Sequence, residues 1–306
     1  MDREVWACPV CYSDLSERDG EIKCLSEARS FRRIDGLPVL IRPEQEPLLD
    51  DAERNASAWR RTRWATPANA ILELPYIRRA GWKQKARSFR RLQELLGAPR
   101  TRRVVDIGAG TGWLSYRLAE GGFRCFATDI SMDPNVGLGA ARLFDETPNS
   151  FERAIATLDC WPFRSGSVDI AICNASLHYL ADPSATVAEA ARVLRTSGVF
   201  VVMNSPVHTD VGSADRASRS FRADLQILGS GLNFLKGHHH FVRSDLEACL
   251  REQFLDVRRH DPDYGFWFRA TRKAKSAVLG MELASFPIYE ARTQRPASES
   301  ARRNSI

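Results

Sequence analysis

Between residues 104 and 112 an apolar run, Val104-Val105-Asp106-Ile107, passes into three glycines at alternate positions, Gly108, Gly110 and Gly112, and a helical pattern begins at Trp113. Few folds accept that order. Glycine lets the backbone turn sharply and lets a ligand approach it with no Cβ in the way. The helix that follows leaves its first N–H groups unpaired, facing whatever lies beyond the turn. A buried strand, a glycine turn and a helix imply an α/β unit with a binding loop at the strand's carboxyl end. The spacing is not the Gly-x-Gly-x-x-Gly of dinucleotide-binding turns, and no Gly-Lys-Ser/Thr follows, as a P-loop requires.

From residue 101 onward the pattern alternates. Strands are expected at 103–107, 123–128, 154–158, 168–173 and 198–203, with helices at 113–119, 138–144 and 184–194 between them. Such alternation implies a mostly parallel sheet with crossover helices. Residues 206–241 break the rhythm and read as an inserted lid. A helix at 245–253 and a hairpin of 255–259 with 266–271 close the domain. The expected divisions are a cysteine-bearing module at 1–42, a linker and helical cap at 43–98 in which 43–54 read as linker, an α/β domain at 99–275 and a polar tail at 276–306.

In an open parallel sheet, ligands sit at the carboxyl ends of the strands. Here successive strand ends carry Asp106 with the glycines, then Asp129, Asp159 and Asn174. An acid about 20 residues beyond a glycine turn suits ribose hydroxyls, because a carboxylate can accept two hydrogen bonds from a cis diol.

With these residues in order, the chain resembles the class I S-adenosylmethionine (SAM) dependent methyltransferases. Asp106 to Gly112 is similar to their first motif, Asp-x-Gly-x-Gly-x-Gly, and Arg192-Val193-Leu194-Arg195-Thr196-Ser197-Gly198 resembles their Arg-Val-Leu-Lys-Pro-Gly-Gly link, with Thr196-Ser197 in place of Pro-Gly. The resemblance implies a Rossmann-like, mostly parallel seven-stranded sheet with helices on both faces. It implies SAM as cofactor, with the methionine end on Asp106, Gly108, Ala109, Gly110 and Gly112. Asp129 and Ile130 would hold the ribose side, Asp159 and Cys160 the adenine, and Asn174 to Tyr179 would border the methyl group.

His178 is the candidate general base for an acceptor that must lose a proton, and Tyr179 could position it. Many methyl transfers need only orientation, because the sulfonium is already reactive. His238-His239-His240 lacks metal-ligand spacing, since consecutive side chains alternate in direction. It reads as a pocket lip or a surface loop, with His208 a weaker base candidate. Trp59, Trp64, Tyr76 and Trp82 would cap an acceptor pocket or form the core of the cap helices.

Cys8-Pro9-Val10-Cys11 followed by Cys24 resembles the zinc-ribbon-like module at the front of some rRNA guanine methyltransferases. Zinc takes four ligands, and Glu27 stands where the fourth is expected. Two readings stay open: a zinc site on Cys8, Cys11, Cys24 and Glu27, or a metal-free ribbon held by Leu15, Ile22, Phe31 and Leu40.

The net charge of +6 admits an RNA partner, yet the charge forms no dense basic stripe. The sequence has neither a long apolar span nor an apolar leader at its start, so no membrane partner and a cytoplasmic location are expected. The expected function is methylation of an O, N or C atom on a small molecule. RNA methylation and non-catalytic SAM or partner binding are the alternatives; oligomeric state is not legible.

Overall fold

The computed structural model describes residues 1–62, 65–79 and 81–293. The chain opens with a three-stranded meander, β1 (Leu15–Arg18), β2 (Glu21–Cys24) and β3 (Ser30–Phe31), then a short pair, β4 (Arg33–Ile34) and β5 (Leu37–Pro38), turning at Asp35-Gly36. Two helices follow, α1 (Pro47–Arg60) and α2 (Trp82–Leu96). Residues 47–54, expected as linker, form the first half of α1: Pro47 occupies its first turn, where a missing N–H costs nothing, and Asp51 and Ala52 are already buried.

The alternating segment comprises β6 (Arg103–Ile107), α3 (Trp113–Glu120), β7 (Arg124–Asp129), β8 (Glu152–Ile155), β9 (Val168–Asn174), α4 (Ser184–Val193) and β10 (Leu194–Met203). The insertion holds β11 (Val207–His208), α5 (Val211–Ile227), α6 (Leu232–Gly237) and β12 (Phe241–Val242). The chain then forms α7 (Arg243–Gln253), β13 (Asp256–His260), α8 (Phe266–Leu279) and β14 (Ile288–Arg292).

Seven strands make one sheet in the order β13-β14-β10-β9-β6-β7-β8. β10, β9, β6, β7 and β8 are parallel, while β14 runs antiparallel to both β10 and β13. Strand order reverses between β6 and β9, the switch point where open α/β sheets bind ligands.

Alternate side chains feed opposite faces, as strand geometry requires. Val104, Ile170, Ile172, Val199 and Val201 pack against α2 and α3 through Trp82, Phe89, Leu92, Trp113 and Leu114. Val105, Ala171, Cys173, Phe200 and Val202 face the other way, toward Val187 and Ala190 of α4 and Leu246 and Leu250 of α7. The N-terminal module contributes Trp6, Ile22, Phe31 and Leu40 to that same second cluster. Trp6 bridges to Phe163, and Val39 pairs with Ile155 at the edge of β8.

Three sequence expectations are corrected. Residues 266–271 form the start of α8, not a strand: the three aromatics lead without a turn into Arg269 to Ala277, a run rich in the helix formers Ala, Lys and Arg. The sheet's last strand is β14 instead, inside the stretch expected as tail, so the α/β domain continues past residue 275. β8 begins two residues before the expected third strand. The remainder of the expected tail, from residue 294, lies outside the described residues, as does Trp64. Among the described residues, no helix is long and apolar enough to cross a membrane.

Candidate cofactor and acceptor site

The glycine loop is clamped onto β7. Gly108 N and Ala109 N donate to Thr128 O at 2.8 and 2.9 Å, and Gly110 N donates to Asp129 Oδ2 at 2.8 Å. The other Asp129 oxygen accepts from Ser131 N at 2.9 Å. Both oxygens keep a lone pair for a further donor. Gly108 adopts φ +68°, and a Cβ there would stand 2.5 Å from Ser176 Cβ. Only glycine allows β9's following loop to close this tightly on the turn. Ser176 Oγ completes the closure by donating to Ile107 O at 2.6 Å.

These strand ends border one cavity of about 230 Å³. Gly108, Ala109, Gly110, Asp129, Ile130 and Asn174, six of the sequence candidates, line it. Ala156 and Leu158 add an apolar wall beside Ile130. The opposite wall comes from the cap: Asn55 and Trp59 of α1, Thr66, and Trp82 and Lys85 of α2, with Phe234 of α6 and Tyr179 closing the side. Trp59 and Trp82 are therefore cavity residues. Tyr76, the other aromatic the sequence offered for the cap, is 59% exposed and does not line the cavity.

Four candidates fall elsewhere. Asp106 is buried beneath the loop, where Ser115 Oγ donates to its Oδ2 at 2.9 Å and Oδ1 has no protein partner. Burial first, and then the Asp129 charge, push its carboxyl up to about 7. Gly112 sits at the N-terminus of α3 and packs toward Phe151 and Ala141, outside the cavity lining. Asp159 is exposed and accepts from Gln45 Nε2 at 3.0 Å. Cys160 turns away to donate to Pro9 O at 3.2 Å. The N-terminal module, through Pro9, and the segment that follows it, through Gln45, hold both residues of the expected adenine edge.

His178, the expected base, stands apart as well. It does not line the cavity; its Nδ1 lies 3.2 Å from Ser205 Oγ and its ring packs on Tyr179 and His238. Burial holds its pKa well below the ordinary value, so it stays neutral. Tyr179 does line the cavity, and burial raises its phenol, keeping the proton on. His208 Nε2 and His240 Nδ1 are 3.0 Å apart, and His238 stacks on Phe221. These contacts hold the insertion together, and His238 joins it to His178 and Tyr179 in the turn after β9.

Lys85 is the residue that sequence reasoning missed. It is the only basic side chain on the cavity wall among the described residues. Its ammonium lies 4.3 Å from the centroid of Trp82, and desolvation lowers its pKa to about 8. Its three-residue offset from Trp82 puts the two on one helix face, but nothing in the sequence says which face looks into the cavity.

In the N-terminal module, the ligand atoms of Cys8, Cys11 and Cys24 lie within 4.8 Å of one another. Val10 N donates to Cys8 Sγ at 3.4 Å. Three thiols so placed can fill three corners of a zinc tetrahedron. Glu27 does not join them; its carboxylate lies 3.5 Å from Arg29 Nε. No other metal-sized cluster occurs among the described residues.

The donor set fits SAM. Asp129 offers a carboxylate to a ribose diol, Ile130, Ala156 and Leu158 offer an apolar wall to a base, and the glycine loop offers open backbone.

Residues 105–202 match the methyltransferase domain family. The chain is 30% identical over 219 residues to an uncharacterized chloroplastic methyltransferase of Arabidopsis thaliana, covering 65% of this chain and 61% of that one. It is 29% identical over 164 residues to a malonyl-[acyl-carrier protein] O-methyltransferase of Geobacter sulfurreducens, covering 53% and 58%. The chain thus spans about three fifths of the length of these curated relatives. Among solved structures, geranyl diphosphate C-methyltransferase from Streptomyces coelicolor superposes with a TM-score of 0.53 at 16% identity, over 80% of this chain and 98% of that one, and shows the same fold. Matched segment, strand order and cavity agree: residues 105–202 are similar to the methyltransferase domain family, and the sheet around them has the fold of the solved methyltransferases.

Proposed function

We propose that this chain transfers a methyl group from SAM to a small molecule held beneath the α1–α2 cap. The observation that carries the reading is one continuous cavity with two unlike walls. One wall is the glycine loop and Asp129; the other is Trp59, Trp82, Tyr179 and Lys85. SAM supplies an already activated methyl group, so the protein's main task is to orient an acceptor and exclude water. Trp59 and Trp82 suit a planar or apolar acceptor body. Lys85, the cation on that wall, suits an acidic group on the acceptor. Tyr179 keeps its proton and serves as a hydrogen-bond donor. The malonyl-[acyl-carrier protein] relative supports a small acyl-type acceptor. The cap over the cavity favours a compact acceptor over a nucleotide within RNA. A cytoplasmic setting accompanies this reading, because all seven cysteines are unpaired, as reducing compartments keep them.

The test is calorimetric titration of SAM into the wild type and into Asp129→Ala. Micromolar binding is expected, weakened by about 1–3 kcal/mol in the variant through loss of the diol's acceptor. Absence of binding by a cooperatively folded wild type overturns the cofactor assignment. Tight binding with no turnover on a panel of small acids, phenols and amines would transfer the reading to non-catalytic SAM binding.

A further inference from the structure

Helix α8 runs for 14 residues between β13 and β14, and none of them is buried. A helix of a globular domain ordinarily buries one stripe. This one leaves Phe266, Trp267 and Val278 at 67%, 78% and 86% exposed. At about 100° per residue, Phe266, Ala277, Ala270, Ala274, Trp267 and Val278 occupy one unbroken arc. Lys273 and Arg269 border the arc on one side and Lys275 on the other. The helix has four basic residues and no acidic one. Its opposite side is fastened to the protein: Arg272 donates to Ala284 O, and Phe268 packs on Tyr264 with centroids 5.1 Å apart. These two contacts fix the outward direction of the apolar arc.

The base of α8 is tied to the cap. Arg87 Nη1 of α2 donates to Asp263 O at 2.9 Å, and Ser88 Oγ lies 3.0 Å from Tyr264 OH. α2 is the helix whose Trp82 and Lys85 line the cavity. Whatever α8 touches is mechanically joined to the acceptor wall.

We propose that α8 docks this chain on an anionic bilayer surface. An apolar arc with Trp and Phe, edged by Lys and Arg and lacking acids, is the pattern of a helix lying in the headgroup boundary. Fourteen residues are too few to span a bilayer, so the helix lies on it. Two copies paired through α8 would set the three bordering cations of one against the three of the other, which disfavours a second copy as the occupant. The inference is independent of methyl transfer. It places the cap beside a lipid surface, where an amphiphilic acceptor would be presented.

The test is flotation of the whole chain with phosphatidylcholine vesicles, with and without phosphatidylglycerol, beside analytical sedimentation of the protein alone. The expected result is capture by the anionic vesicles only, relieved by salt. Trp267→Glu and the pair Lys273→Glu with Lys275→Glu are each expected to weaken capture by at least about tenfold. Both variants alter exposed side chains, and unchanged SAM binding with an unchanged melting curve certifies their fold. The proposal is overturned by no capture by either vesicle; by capture that both variants retain, which assigns it to the general +6 charge; or by a dimer of the wild type that Trp267→Glu dissolves. Retention by an acidic carrier protein in place of vesicles, lost in the same variants, overturns it in favour of a protein partner.

Discussion

Asp106 and Asp129 stand at the ends of adjacent strands and meet different fates. Asp129 receives two backbone N–H groups and faces the cavity; Asp106 has one hydroxyl partner and a bare oxygen under the loop. Burial lifts the Asp106 carboxyl from its ordinary 3.8 to about 7. The folded protein therefore holds that proton after the unfolded chain has released it. Stability contributed at this position is present in full below about 3.8 and is lost as pH rises toward about 7. Asp106→Asn keeps an acceptor for Ser115 and removes the titration. Melting temperature measured against pH is expected to fall more steeply across that window for the wild type than for the variant. Parallel curves would reject a raised carboxyl. The glycine loop needs no such test of legibility, because its spacing announces it in the sequence.

The sheet's most consequential element is its least announced one. β14 inserts between β10 and β13, with Ile288, Tyr289 and Ala291 fully buried or nearly so. Glu290 accepts from Arg292 Nε at 2.7 Å and lies 2.9 Å from His260 Nε2 of β13, tying the antiparallel edge together. A chain ending after residue 287 loses both neighbours' hydrogen bonds and opens a slot through the sheet. Loss of cooperative unfolding in circular dichroism melts is the expected outcome. A cooperative melt would show that the sheet closes without β14. The sequence concealed this strand because Ile-Tyr-Glu-Ala-Arg is short and follows a long helical segment. The aromatic start of α8, Phe266-Trp267-Phe268, read as strand for the converse reason. Its apolar residues meet no core, so period alone could not assign it.

On the scale of the molecule, the N-terminal module and the α/β domain form one folded unit. Trp6 is 1% exposed; it packs at a tilt on Phe163 with ring centroids 4.7 Å apart, meets Phe126 edge-on at 6.0 Å and donates from Nε1 to Glu152 Oε2 at 2.8 Å. Trp6→Ala is expected to cost about 3–5 kcal/mol, measured by denaturant unfolding. A cost below about 1 kcal/mol would show that the module docks loosely. The same docking explains why Asp159 and Cys160 leave the cavity: Gln45 and Pro9, carried in by the module and its linker, bind them. The cap acts similarly on the far wall, where α1 and α2 bring Trp59, Trp82 and Lys85 over the strand ends.

The sequence by itself determined the parallel sheet, the glycine loop at its switch point, and Asp129, Ile130 and Asn174 as cavity residues. Those features are local: alternation, glycine spacing and a fixed offset along the chain encode them. Tertiary structure alone decided three other matters. It placed Lys85 on the cavity wall, withdrew His178, Asp159 and Cys160 from it, and put β14 in the sheet with α8 outside. Each depends on which segment distant in the chain packs against the residue, and a side chain's own neighbours in sequence carry no record of that partner.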